Sequence, residues 1–178
     1  MSDLSAHRPT VGATAMAAFF RICTAVAVIF GLTMTGIVNF QILVRYVPFV
    51  STPWTEEAAR YLWIWAIAMM AGPCYIYGDY VGIDIASKII SKSIWGSLRR
   101  ICHLIAAGLG GVIAVYGSTL ALSTTNQISS ALQVNMGLVN ASMGFLGANI
   151  ALAALYVLGG GTKAVLLGKD TALAGMEN

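Results

Sequence analysis

The residues best suited to chemistry lie together at 54–61, in the run Trp54-Thr55-Glu56-Glu57-Ala58-Ala59-Arg60-Tyr61. Two adjacent carboxylates can pair with a cation, take part in ion movement or stabilise the positive end of a helix. Arg60 stands i+4 from Glu56 and i+3 from Glu57, so in a helix the three share one face. Thr52 followed by Pro53 reads as an N-cap with proline at the first helical position. Both carboxylates then fall early in a helix, where the dipole favours negative charge. The pair therefore sits at the mouth of the apolar stretch that follows. A chain that couples to ions usually carries an ionisable residue at mid-membrane. None of the seven acids is placed there: Asp3, Asp170 and Glu177 lie near the ends, Asp79 and Asp84 in a connection, Glu56 and Glu57 at an interface.

Other chemistry is sparse. Cys102 and His103 are neighbours, but adjacent helix positions point about 100° apart and chelate poorly. His7 and His103 are too few and too distant for a cofactor site, and no Gly-x-Ser-x-Gly elbow occurs. The glycines at 159–161 lack a phosphate-binding lysine arrangement. We expect no catalytic residues, no metal and no cofactor in this chain, and not an enzyme. Asn149, near mid-span, is expected to make an interhelical hydrogen bond rather than a substrate contact.

The elements that must position these groups are long and apolar. Of 178 residues, 58% are hydrophobic and 10% charged, with a mean hydropathy of +0.79. Soluble domains average about 25% charged residues, so the composition points away from a water-soluble fold. The net charge of +3 and the absence of a basic, aromatic-rich surface give no sign of a nucleic acid partner. The predicted fold is all-α: four transmembrane helices, with an amphipathic interfacial helix between the second and third. The spans are predicted at 17–44, 56–77, 101–123 and 137–159 and the interfacial helix at 83–98, within a domain of 17–160. Residues 1–16 and 161–178 form tails. The first span, at about 1.5 Å per residue, is longer than the ~30 Å hydrocarbon core and is expected to tilt. Its apolar run is also too long for a signal peptide.

Asp84, Lys88 and Lys92 recur every four residues, with Arg99 close to the same face and Ile85, Ile89, Ile90, Ile94 and Leu98 opposite. That pattern suits a helix on the membrane surface, anchored by Lys88, Lys92, Trp95, Arg99 and Arg100. Arg8, Arg21, Lys88, Lys92, Arg99, Arg100, Lys163 and Lys169 fall on one side of the spans and Arg45 and Arg60 on the other. The positive-inside bias places both termini in the cytoplasm. Small residues in the third and fourth spans, Gly111 and the ladder Gly137, Ala141, Gly144, Ala148, permit close helix packing. They serve either this chain's own bundle or a partner.

The motifs in order resemble the small membrane subunit of tripartite ATP-independent periplasmic (TRAP) transporters. Arg45-Tyr46 ends the first span, Glu56-Glu57-Ala58-Ala59-Arg60 enters the second, and Gly78-Asp79-Tyr80-Val81-Gly82-Ile83-Asp84 follows it. Tyr80 stands where the family often has histidine. Asn135 and Leu138 replace a proline and tryptophan often found before the fourth helix. The resemblance implies a bacterial or archaeal cytoplasmic (inner) membrane location. It also implies a non-catalytic subunit bracing a large, multispan, elevator-type subunit, which would hold the substrate and sodium sites. The further partners implied are a periplasmic substrate-binding protein and membrane lipids, and the cargo is organic anions such as carboxylates or sialic acid. The alternative is an autonomous four-helix homodimeric transporter; its first helix should carry a carboxylate, and 21–44 has none. The cluster of Glu56, Glu57 and Arg60 is then either a local helix start or a contact for a partner.

Overall fold

The computed structural model describes residues 11–46, 52–77 and 92–159, with the backbone alone for 11–13, 77, 92–96 and 99. Four helices fill them: α1 (Val11–Val44), α2 (Pro53–Tyr77), α3 (Lys92–Ser123) and α4 (Met136–Leu158). The order in space is α1, α2, α4, α3. α2 packs on α1 and on α4, and α3 packs most extensively on α4. Glu57 and Ala68 on α2 meet residues just before and within α4 in the same sequence order, so α2 and α4 run parallel.

Among the described residues, three stretches are long and apolar enough to cross a bilayer: Thr14–Val44, Arg100–Ser123 and Met136–Leu158, with mean hydropathies of 2.1, 1.8 and 1.7. α2 is not among them, although its 25 residues would reach roughly 37 Å at ~1.5 Å per residue. Its apolar stretch is diluted by Arg60, Tyr61, Trp63, Trp65, Gly72, Pro73 and Tyr75. Aromatic and small residues lower hydropathy without adding charge, and they suit a helix with neighbours on two sides.

Helix boundaries follow local chemistry. α2 starts at Pro53, as its fixed φ and missing N–H favour. α4 starts after Asn135, whose side-chain oxygen accepts from Gly137 N at 2.7 Å and so caps an orphan amide. The 83–91 part of the expected interfacial helix lies outside the described residues, and so does Lys88. Residues 92–98 are the first turns of α3, which continues without a break into the stretch beginning at Arg100.

Lipid is as apolar as leucine, so helix pairing here rests on close contact rather than on leaving water. The α3–α4 pair shows this most plainly. A Cβ on Gly147 would lie 2.6 Å from Gly110 O and 2.8 Å from Ile113 C, and nearer still to Ala114 N. On Gly110 it would lie 2.8 Å from Gly147 O. Backbone touches backbone, which glycine alone permits. A second cluster joins α1, α2 and α4, with Phe20, Ala17, Ile76 and Ala153 buried together. The Phe20 ring meets Tyr156 edge-on at 6.4 Å between centroids, an arrangement aromatic quadrupoles favour.

Candidate functional site

The acidic pair divides its work. Glu56 takes Arg60 at 2.9 Å, with both side chains more than 60% exposed. Glu57, one position on, turns instead to the connection between α3 and α4. Ser129 donates its hydroxyl to Glu57 Oε2, and Ser130 donates to Oε1 at 2.9 Å. The amide of Ala131 lies 3.3 and 3.2 Å from the two oxygens, and that of Leu132 lies 3.1 Å from Oε2. Two hydroxyls and two successive amides thus hold one carboxylate. Glu57 is the fifth residue of α2, ahead of Arg60 and the apolar residues that follow. The Ser129 hydroxyl above all, with the Leu132 amide, Ser130 and the Ala131 amide, outweighs burial and brings it down to about 2.

The sequence holds a signal for this tie. Two carboxylates with one arginine in reach leave one acid without a charged partner, and the connection at 124–136 carries no charge but offers Ser129 and Ser130. Sequence spacing links Glu57 to Arg60; the structure links it to residues more than seventy positions away.

A second tie lies deeper. Asn149 on α4 is 1% exposed, and its Nδ2 donates to Ala68 O and Met69 O on α2, each at 3.0 Å. Pro73 has no N–H to give the Met69 carbonyl four residues earlier. Asn149 supplies the missing donor, so the proline and the asparagine form one device. Its Oδ1 lies over Gly72, where no Cβ would fit beside Phe20 Cε1. This is the interhelical bond expected of Asn149. Near the far end of α2, Tyr75 Oη and His103 Nδ1 on α3 are 2.6 Å apart.

The remaining candidates are dispersed. Arg100 is exposed on α3; the side chains of Lys92, Trp95 and Arg99 lie outside the described residues. Gly137 and Gly144 pack on α3, where a Cβ would come 2.7 Å from Ala121 O and 3.1 Å from Ser118 N respectively. Ala141 and Ala148 are half-buried. Gly111 would carry a Cβ with nothing within 4 Å.

Two predictions follow from the divided pair. Exposed ion pairs contribute about 0.5 kcal/mol or less. A Glu56→Gln, Arg60→Gln double-mutant cycle in thermal unfolding should therefore return a coupling of that size; a coupling above about 1 kcal/mol would contradict the exposed pairing. The Glu57 tie should instead show in acid. A carboxyl whose folded pKa is depressed stabilises fully above its free value and loses that contribution as pH falls through the folded value. The stability difference between wild type and Glu57→Gln should be flat down to about pH 4.5 and close towards about pH 2. A difference that closes nearer neutrality would contradict the tie.

Long helices that leave large apolar side chains exposed, as α3 does with Ile101, Leu104, Ile105, Leu109, Val112 and Val115, define a helical membrane protein. Its polar groups tie helices to each other. Residues 34–163 match the model of the family described as tripartite ATP-independent periplasmic transporters, DctQ component. The match covers well over half of the chain, which belongs to that family, one of transporter components rather than enzymes. No curated protein matches the chain.

Proposed function

We propose that this chain is the non-catalytic small permease subunit of a sodium-driven TRAP importer, bracing the large elevator-type subunit in the cytoplasmic membrane. The family match over residues 34–163 carries the reading. Four spans with both termini in the cytoplasm fit the eight basic residues on one side against two on the other. The Glu57 and Asn149 ties support a bracing role, because each fastens α2 to another part of the same chain. A rigid frame needs such fastenings; a moving carrier needs groups left available to its cargo. Sodium and an organic anion, a carboxylate or a sialic acid, would be handled by the large subunit, with the anion delivered by a periplasmic binding protein. Lys88, Lys92, Trp95, Arg99 and Arg100 would anchor the chain at the cytoplasmic surface among lipid headgroups.

The test is purification from native membrane with a tag at the C-terminus, followed by uptake into proteoliposomes. A fixed one-to-one complex with a much larger multispan protein is expected, with uptake lost when this chain is left out. A stable homodimer that transports alone would overturn the reading.

A further inference from the structure

The loop around Glu57 is held in shape by bonds that do not use Glu57. Ser129 N donates to Val134 O at 2.9 Å and Met136 N to Gln127 O at 2.8 Å, beside the Ile128–Asn135 bridge. Asn135 Nδ2 donates to Thr125 O at 2.6 Å, and Asn140 Nδ2 to Thr124 Oγ1 at 2.9 Å. Gln133 turns the chain with a φ of 54° while its Nε2 donates to Ser130 O at 3.2 Å. Inside this frame Ser129 is 5% exposed. Its hydroxyl, that of Ser130 and the amides of Ala131 and Leu132 converge on one place.

Successive backbone amides aimed at one point make an anion-binding concavity. Without a carboxylate, the buried Ser129 hydroxyl would lose its partner while the frame kept all four donors aimed, a costly arrangement for that group. The donors also divide between two oxygens: Oε1 takes Ser130, Oε2 takes Ser129 and Leu132, and the Ala131 amide reaches both. Two acceptor positions suit a planar carboxylate and not a spherical halide.

We propose that residues 129–132 are a preformed receptor for a carboxylate. Glu57 is its resident ligand, and a small free carboxylate takes the place when residue 57 has none. The latch between α2 and the α3–α4 connection is thus a binding equilibrium within the chain. This goes beyond the subunit reading and does not depend on it.

The test uses the full chain in lipid nanodiscs, with hydrogen exchange at the Ala131 and Leu132 amides as readout. Glu57→Ala should speed their exchange on the order of tenfold. Sodium formate should restore the slow rate, while sodium chloride at the same concentration should not. Adding Ser129→Ala and Ser130→Ala should abolish the restoration. Slow exchange in Glu57→Ala without formate, fast exchange that formate leaves unchanged, or equal restoration by chloride would each overturn the proposal. Should Glu57→Ala fail to fold, Glu57→Gln keeps the shape without the charge. Faster exchange at the same two amides is then the expected result, and unchanged exchange overturns the proposal.

Discussion

Replacing Gly147 by valine should separate α3 from α4, at a cost of about 2 kcal/mol or more in unfolding free energy. The new Cβ would lie 2.6 Å from Gly110 O and 2.8 Å from Ile113 C, both backbone. Side chains can rotate away from an intruder; a packed helix backbone can move only as a whole. Gly111→Val provides the control, because its Cβ meets nothing within 4 Å and should shift stability by about 0.5 kcal/mol or less. Denaturation in mixed detergent micelles, followed by tryptophan fluorescence, measures both. Equal losses at the two positions would contradict the packing. The same Gly111 variant has a second use. If it leaves the isolated chain stable yet fails to co-purify with the large subunit, the partner covers that side of α3.

Asn149→Leu should cost about 1–2 kcal/mol, in the upper range for interhelical hydrogen bonds in membranes. The loss should shrink when Pro73 is also replaced by alanine. With alanine at position 73, a backbone N–H becomes available to the Met69 carbonyl, which otherwise depends on Asn149 at 3.0 Å. The Ala68 carbonyl, also bonded to Asn149, still loses that contact, so the relief is partial. The double-mutant cycle isolates this shared dependence. Additivity within about 0.3 kcal/mol would mean that the proline and the asparagine act independently. Gly72→Ala disturbs the same contact. Its methyl group would meet Phe20 Cε1 at 2.7 Å and the Asn149 side chain, so it should loosen the contact of α2 with both α1 and α4.

Glu57 and Asn149 give the two polar ties different characters. The Asn149 tie lies in the interior of the helices, where an exposed carbonyl finds no water and a neutral amide can satisfy it without bringing charge. The Glu57 tie stands at the entrance of α2, where a carboxylate is tolerated and can gather several donors. Together they join α2 to the α3–α4 pair at two levels. Aromatic contacts join α1 to its neighbours, Phe20 with Tyr156 and Phe40 with Trp54. Its own Thr24, Thr33 and Thr35 hydroxyls bond back to carbonyls four residues earlier.

The sequence by itself determined what depends on composition and near neighbours. Long apolar stretches must be helical in a bilayer, because a helix satisfies its backbone groups internally. Pro53 set the start of α2, the i+4 spacing set the Glu56–Arg60 pair, and the order of the motifs pointed to the family that the match over 34–163 establishes. The isolated polar position of Asn149 announced an interhelical bond, though not its acceptors. Only the tertiary structure decided which helix lies beside which. Helical periodicity tells which residues share a face but not what that face meets, so the order α1, α2, α4, α3 could not be read from spacing. The small-residue ladder was equally undecided until Gly137 and Gly144 proved to pack on α3, with Gly147, which the ladder omits, packed there too, while Gly111 faced open space. For the same reason Glu57 looked like a member of a local cluster with Glu56 and Arg60. Its donors are brought within reach by the parallel packing of α2 on α4, a contact between segments with no local sequence relation.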